Sequence, residues 1–305
     1  MRYIVHSSLF GYKMPDSREA YEAMGHLALN VRRPSTEWLN MGYWSSGNDI
    51  NFPDACESLA HLLHEAAGIP INARILDVGH GCGDSLILLA RRSPSVLHGV
   101  TSIPFHAERA RKRSSAQVWC DDATTWIADH VPSATYNTIL ALDCAYHMAP
   151  RHAFFENAHC ALLPGGTLAL VDLVGAWPYP AWAESPLPPP TQKPSLMSRV
   201  MHYIVCWIAG ISPEAFVCMD EYKAQLETVG FKDTRICDIS HDVFPGFSRF
   251  LCTLGCENGQ PWCGSTLSLH AYHSFGRVVS RWAAGENQGL VRCVLVTARK
   301  SIDDI

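Results

Sequence analysis

Short, nearly continuous apolar runs alternate with stretches of helical periodicity through the middle of the chain. The run RILDVG (74–79) predicts a strand that ends in glycine, and SLILLARR (85–92) follows with apolar positions at helical spacing. Further strands are predicted at 96–101 (VLHGVT), 116–122 (AQVWCDD), 136–143 (YNTILALD) and 167–174 (TLALVDLV). These runs are β-rich and do not alternate with polar residues, as parallel strands covered on both faces do not. A helix at 151–163 separates the last two, and Pro164-Gly165-Gly166 turns out of it. Repetition of strand, helix and strand predicts an α/β fold with a doubly wound sheet.

The pattern breaks after residue 174. AWPYPAWAESPLPPPTQKP (176–194) is rich in proline and aromatic residues and cannot continue regular structure. It leads into an apolar helix at 196–211, after which the alternation resumes. A helix at 219–230 stops at Gly230, and a strand follows at 231–240. Helices at 243–254 and 269–284 and a final strand at 290–300 complete the chain. Four regions result: an N-terminal helical cover (1–70), the first half of the core (71–175), a lid or substrate insertion (176–215) and the second half of the core (216–305).

Composition narrows the function. A chain of 305 residues with 48% apolar content can bury a large core without staples. A net charge of −5 offers no footprint for a phosphate backbone, so nucleic acid is not an expected partner. The one basic run, Arg109-Ala110-Arg111-Lys112-Arg113, reads as a solvated helix face. The first residues show no secretory pattern, and the 196–211 run is interrupted by Arg199 and His202, so stable membrane insertion is not expected. Twelve cysteines, several inside apolar runs, then read as reduced thiols in the cytoplasm. Cys252, Cys256, Cys263, His270 and His273 cluster in sequence but lack the paired C-x2-C spacing of a structural zinc site, and no metal is expected.

The strongest chemical signal is Asp77-Val78-Gly79-His80-Gly81-Cys82-Gly83-Asp84. Three alternate glycines between a strand and a helix permit a tight turn and leave no Cβ to block a ligand lying across it. The spacing G-x-G-x-G differs from the G-x-G-x-x-G of dinucleotide folds, which favours an amino-acid and ribose site over a pyrophosphate cradle.

ILDVGHGCG (75–83) resembles the first motif of class I S-adenosylmethionine-dependent methyltransferases, and LLPGGTLALVDL (162–173) resembles their motif around the fifth strand. The resemblance covers about residues 37–175, and 219–231 more loosely. It is nearest to the small-molecule branch that includes natural-product sugar O-methyltransferases, tocopherol methyltransferases and sterol methyltransferases. It implies S-adenosyl-L-methionine as cofactor and a Rossmann-like seven-stranded sheet of order 3-2-1-4-5-7-6. Gly42-Tyr43-Trp44 matches a segment that, in the branch, places a tyrosine over the cofactor. Gly79, Gly81 and Gly83, with Asp77 before them, would cradle it. Thr101 and Ser102 stand where many members carry an acidic residue for the ribose, a departure that leaves the ribose contact to hydroxyl and backbone groups. Asp122 and Ala123 match the pair expected at the adenine, with Asp121 an equal alternative. His106 aligns with a polar cofactor contact, and Asp143 at the end of the fourth strand completes the expected set.

His147 and Asp172 are the catalytic candidates. They close neighbouring strands of that sheet order, at the end where ligands collect. Methyl transfer from a sulfonium is an in-line displacement, and a hydroxyl nucleophile must also lose its proton, which an imidazole can accept. The sugar O-methyltransferases carry a histidine and an aspartate at matching positions. Aromatic residues of the insertion (Trp177, Tyr179, Trp182, Tyr203, Trp207) suggest a lipophilic or aromatic acceptor. Carbon methylation of an isoprenoid, a cyclase or pericyclase that retains the cofactor, and a silent cofactor-binding subunit stay open, as does a homodimer.

Overall fold

The structure is a computed structural model that describes residues 26–30, 36–44, 50–183, 193–257, 259–283 and 290–303. Helix α1 (Phe52–Ala66) opens the regular structure, capped by Asn51, whose Oδ1 accepts from the Asp54 amide at 3.1 Å. Then β1 (Arg74–Val78), α2 (Asp84–Ala90), β2 (Val96–Thr101), α3 (Pro104–Arg113) and β3 (Gln117–Cys120) follow in strict alternation. Next come α4 (Ala123–His130), β4 (Tyr136–Leu142), α5 (Arg151–Ala161) and β5 (Leu162–Gly175). After the insertion with α6 (Leu196–Ala209), the chain adds α7 (Met219–Val229), β6 (Lys232–Asp238), α8 (Ser240–Thr253), α9 (Thr266–Ala283) and β7 (Val291–Arg299).

The sheet order is β3-β2-β1-β4-β5-β7-β6, as the resemblance implies. The first five strands pair in parallel, and β7 enters antiparallel between β5 and β6. Both faces are buried. Ala169, Val171 and Leu173 of β5 join the core under α1, α8 and α9, whereas Leu168, Leu170 and Val174 join the core under α4, α5 and α7. Strand β5 starts five residues before the predicted run. The Pro164-Gly165-Gly166 turn is absorbed as an irregularity, where pairing with β4 jumps from Tyr136↔Leu162 to Thr138↔Thr167.

Among the described residues before β1 the predicted N-terminal cover holds α1 and a short 3-10 turn, His26–Leu29. Residues 36–44 form an irregular strap bonded to the end of β4 and the start of α2: the Met41 amide donates to Asp143 Oδ2 at 2.9 Å and the Glu37 amide to Asp84 Oδ2 at 3.1 Å. The first 25 residues of the predicted cover lie outside the described residues, as do 184–192 of the predicted insertion.

Candidate active site

The loop between β1 and α2 turns on three glycines in the left-handed region, with φ of +67° at Gly79, +56° at Gly81 and +98° at Gly83. Their neighbours also need them small. A Cβ on Gly79 would come within 2.5 Å of Cys144 Sγ, and one on Gly83 within 3.0 Å of the Ala110 backbone. The loop is therefore pressed between the end of β4 and helix α3, with its Gly79 amide bonded to Val100 O at 2.8 Å.

A cavity of about 520 Å³ opens over this loop at the carboxyl ends of the parallel strands. Its wall includes Gly79, Gly81, Thr101, Ser102, His106, Asp122, Ala123, Asp143 and His147, so nine predicted site residues converge on one space. Asp77 and Gly83 stand behind the wall. Asp77 is fully buried, and burial lifts its carboxyl to about 7, with the Ser85 hydroxyl pulling the other way. Asp143 has a left-handed backbone (φ +56°), unusual for a residue other than glycine, held by the Met41 amide on its carboxylate. Burial raises it to about 7; Met41 and Tyr146 oppose the rise and the charge of Asp172 adds to it.

Imidazoles gather around the same space. Burial lowers His147, His106 and His80 each to about 4. His26, bonded to Tyr272 through Nδ1, falls to about 3 through burial and then the nearness of His106 and His147. All four are neutral at pH 7, a state in which each ring keeps an accepting nitrogen. Beyond β3, Asp122 caps α4, its Oδ1 accepting from Thr124 and Thr125 amides at 3.0 and 3.1 Å. Asp121 shares that stretch of wall, so both readings of the adenine carboxylate keep a place.

Two expected residues are elsewhere. Tyr43 does not line the cavity; its hydroxyl donates to Asp242 Oδ2 at 3.2 Å, fastening the strap to α8. Asp172 does not line it either. It projects under α5 and α7, fully buried, where the Tyr222 hydroxyl donates to it at 2.8 Å and Arg151 Nη1 lies at 3.3 Å. Burial raises its carboxyl, while Arg151, Tyr222 and the amides of Leu173 and Tyr146 hold it down. The last contact ties it to the 3-10 turn Ala145–His147, so it touches the site through the backbone beside His147. The insertion's aromatics are also off this wall: Tyr179 packs near Asp238 and Arg292, and Trp182 donates to Asp220 at 2.6 Å.

One network was not legible as part of the site. Arg113 grips Asp84 with both terminal nitrogens, at 2.7 and 2.8 Å, and donates to Cys82 O in the glycine loop. Arg109 and Arg113 also meet Glu37 of the strap. The basic run is thus not simply a solvated face: two of its arginines bind strap, loop and helix together. Among the described residues, no cluster of His, Cys, Asp or Glu could hold a metal.

Comparison with known proteins bears on the family and the fold. Residues 75–166 match the model of the methyltransferase domain. The chain is 29% identical over 272 residues to erythromycin 3''-O-methyltransferase of Saccharopolyspora erythraea, covering 87% of this chain and 79% of that protein. It is 27% identical to the 27-O-demethylrifamycin SV methyltransferase of Amycolatopsis mediterranei, covering 87% and 90% respectively. The crystal structure of the [4+2]-cyclase SpnF shares the fold, with a TM-score of 0.64 over 95% of this chain and 98% of that one, at 17% identity. The sheet order and the glycine loop under a cavity define a class I methyltransferase fold. The methyltransferase domain at 75–166, the O-methyltransferase relatives and the fold together support an S-adenosylmethionine-dependent methyltransferase of the small-molecule type.

The wall fits that cofactor. A Cβ at Gly81 would come within 3.0 Å of Leu39, another wall residue, so only glycine keeps the gap between loop and strap open. Carboxylates at both ends, Asp143 on one side and Asp121 and Asp122 on the other, suit a ligand carrying an ammonium group, ribose hydroxyls and an adenine amine.

Proposed function

We propose that this protein methylates a hydroxyl group of a small, lipophilic or aromatic acceptor, with His147 as general base. The observation that carries the reading is a half-buried imidazole on the cavity wall, held neutral at pH 7 just past the end of β4. Gly79, Gly81 and Asp143 would hold the amino-acid half of adenosylmethionine, Thr101 and Ser102 its ribose, and Asp122 with Ala123 its adenine. Bound there, the cofactor supplies a methyl group on a sulfonium, ready for in-line displacement. His147 would accept the proton of the acceptor hydroxyl as that oxygen takes the methyl group, and its place on the wall would set the oxygen toward the cofactor.

Asp172 enters as a positioning residue. It binds the backbone of the turn that carries His147 and lies off the cavity wall. Tyr43 and Trp44 act likewise on the strap, Trp44 Nε1 donating to Met41 O at 2.9 Å. The partner is a small molecule in the cytoplasm, and a homodimer is the assembly to test by light scattering.

His147→Ala tests the reading. A panel of hydroxylated acceptors and labelled cofactor should show kcat lowered by about 10²–10⁴-fold, the usual contribution of a general base. Affinity for adenosylhomocysteine, read by calorimetry, should stay within about threefold, since the imidazole serves the acceptor. Near-normal turnover in the variant would remove the general base and leave positioning alone to explain the rate, whereas a native protein that binds the cofactor but transfers no label would favour a cyclisation.

A further inference from the structure

Helix α6 wears its apolar side chains on the outside. Leu196 and Met197 are 76% and 71% exposed, and Val200, Tyr203, Ile204, Trp207 and Ile208 lie between 42% and 58%. Only Cys206 of the helix is fully buried. The element is well formed: Ser195 caps it, accepting from the Ser198 amide at 3.2 Å, and Gly210 closes it in the left-handed conformation. Residues 196, 200, 203, 204, 207 and 208 share one stripe, which in a surface helix should face the core. None of them lines the cavity described above.

Charge identifies what fits this face. The sequence has no aspartate or glutamate from Ser185 to Pro213, yet it carries Lys193 and Arg199, both exposed. The whole chain is acidic, at −5, so a cationic apolar patch stands out against it. A symmetric contact with a second copy would bring together two faces of the same positive sign, with no carboxylate between Ser185 and Pro213 to pair across it. An anionic lipid surface complements both features. The helix, 14 residues long, spans roughly 21 Å. That is short of the ~20 residues needed to cross a bilayer, so it would lie in the interface plane, with Tyr203 and Trp207 at headgroup level.

We propose that α6 docks this protein reversibly on an anionic bilayer surface. Flotation of the full chain with phosphatidylcholine vesicles, with and without phosphatidylglycerol, tests this directly. Binding should require phosphatidylglycerol, weaken with salt and disappear in the double variant Ile204→Asp/Ile208→Asp. Arg199→Gln should weaken it about fivefold, the factor that roughly 1 kcal/mol per basic residue supplies. Both variants change exposed side chains, and unchanged adenosylhomocysteine binding would show that they fold. Absence of binding to either vesicle overturns the proposal. So does a dimer in solution that ignores vesicles and dissociates in the double variant, because the face would then be a self-contact. The measurement needs neither acceptor nor turnover, so it can fail while the methyl-transfer reading stands.

Discussion

His147 sets the pH behaviour at the scale of single residues. A free imidazole would give a rate limb near its ordinary pKa of 6.5, but burial moves this one to about 4. The neutral ring is the base, so kcat/KM should stay level from neutral pH down past 6 and fall only as pH approaches the lowered value. A steep loss between pH 7 and 6 that survives in His147→Ala would assign the limb to another group. Asp172 behaves differently from a substrate contact. Asp172→Asn leaves Arg151 under-compensated in a closed core, so both stability and kcat should drop, the former by about 3–5 kcal/mol. Its mark as a positioning residue is that acceptor KM changes little while kcat falls. A large KM rise with unchanged melting temperature would place it against the acceptor after all. Its orientation could not be read from LALVDLV, because β5 is apolar on both faces and offers no alternation to say which way residue 172 points.

The elements that make the site are joined by contacts of unequal legibility. Strands and glycine loop were plain in the sequence, since continuous apolar runs and G-x-G-x-G each admit few conformations. The strap was not, because residues 36–44 have no periodicity and are held by particular hydrogen bonds to Asp84 and Asp143, 47 and 102 positions away. Tyr43 matched a motif, but its hydroxyl is spent on Asp242 of α8. The arginine run misled for a related reason: periodicity marks a helix's apolar side and says nothing about carboxylates arriving from elsewhere. The Asp84–Arg113–Glu37 network makes its own prediction. Arg113→Met keeps the aliphatic stem and removes the bidentate grip. Adenosylhomocysteine affinity should fall about tenfold, the scale of losing one or two charged hydrogen bonds. Isothermal calorimetry on a variant with unchanged circular dichroism measures it, and full affinity would mean that the strap holds without its arginine.

Five histidines, buried or half-buried, are held neutral in the folded protein, and its stability should depend on pH accordingly. His26 and His64 are lowered to about 3, and His80, His106 and His147 to about 4, in each case first by burial. Below pH 6.5 the unfolded chain takes up protons at these positions and the folded chain does not, so stability falls with acid through the window from about 6.5 to 4. Asp77, Asp143 and Asp172 are raised and act in the opposite sense, but they are fewer. Net stability should therefore rise with pH across that window. His64 isolates the effect, because it sits in α1 away from the cavity, 1% exposed, with neither ring nitrogen hydrogen-bonded. Replacing it by leucine removes one proton of linkage and a buried polar ring together. His64→Leu should gain about 2 kcal/mol over the native chain at pH 5 from linkage alone, roughly 1.4 kcal/mol for each pH unit below 6.5. At pH 7.5 that part of the gain vanishes, and only the packing difference remains. Urea denaturation at the two pH values compares them, and a variant whose advantage is the same at both would show that His64 does not resist protonation in the folded protein.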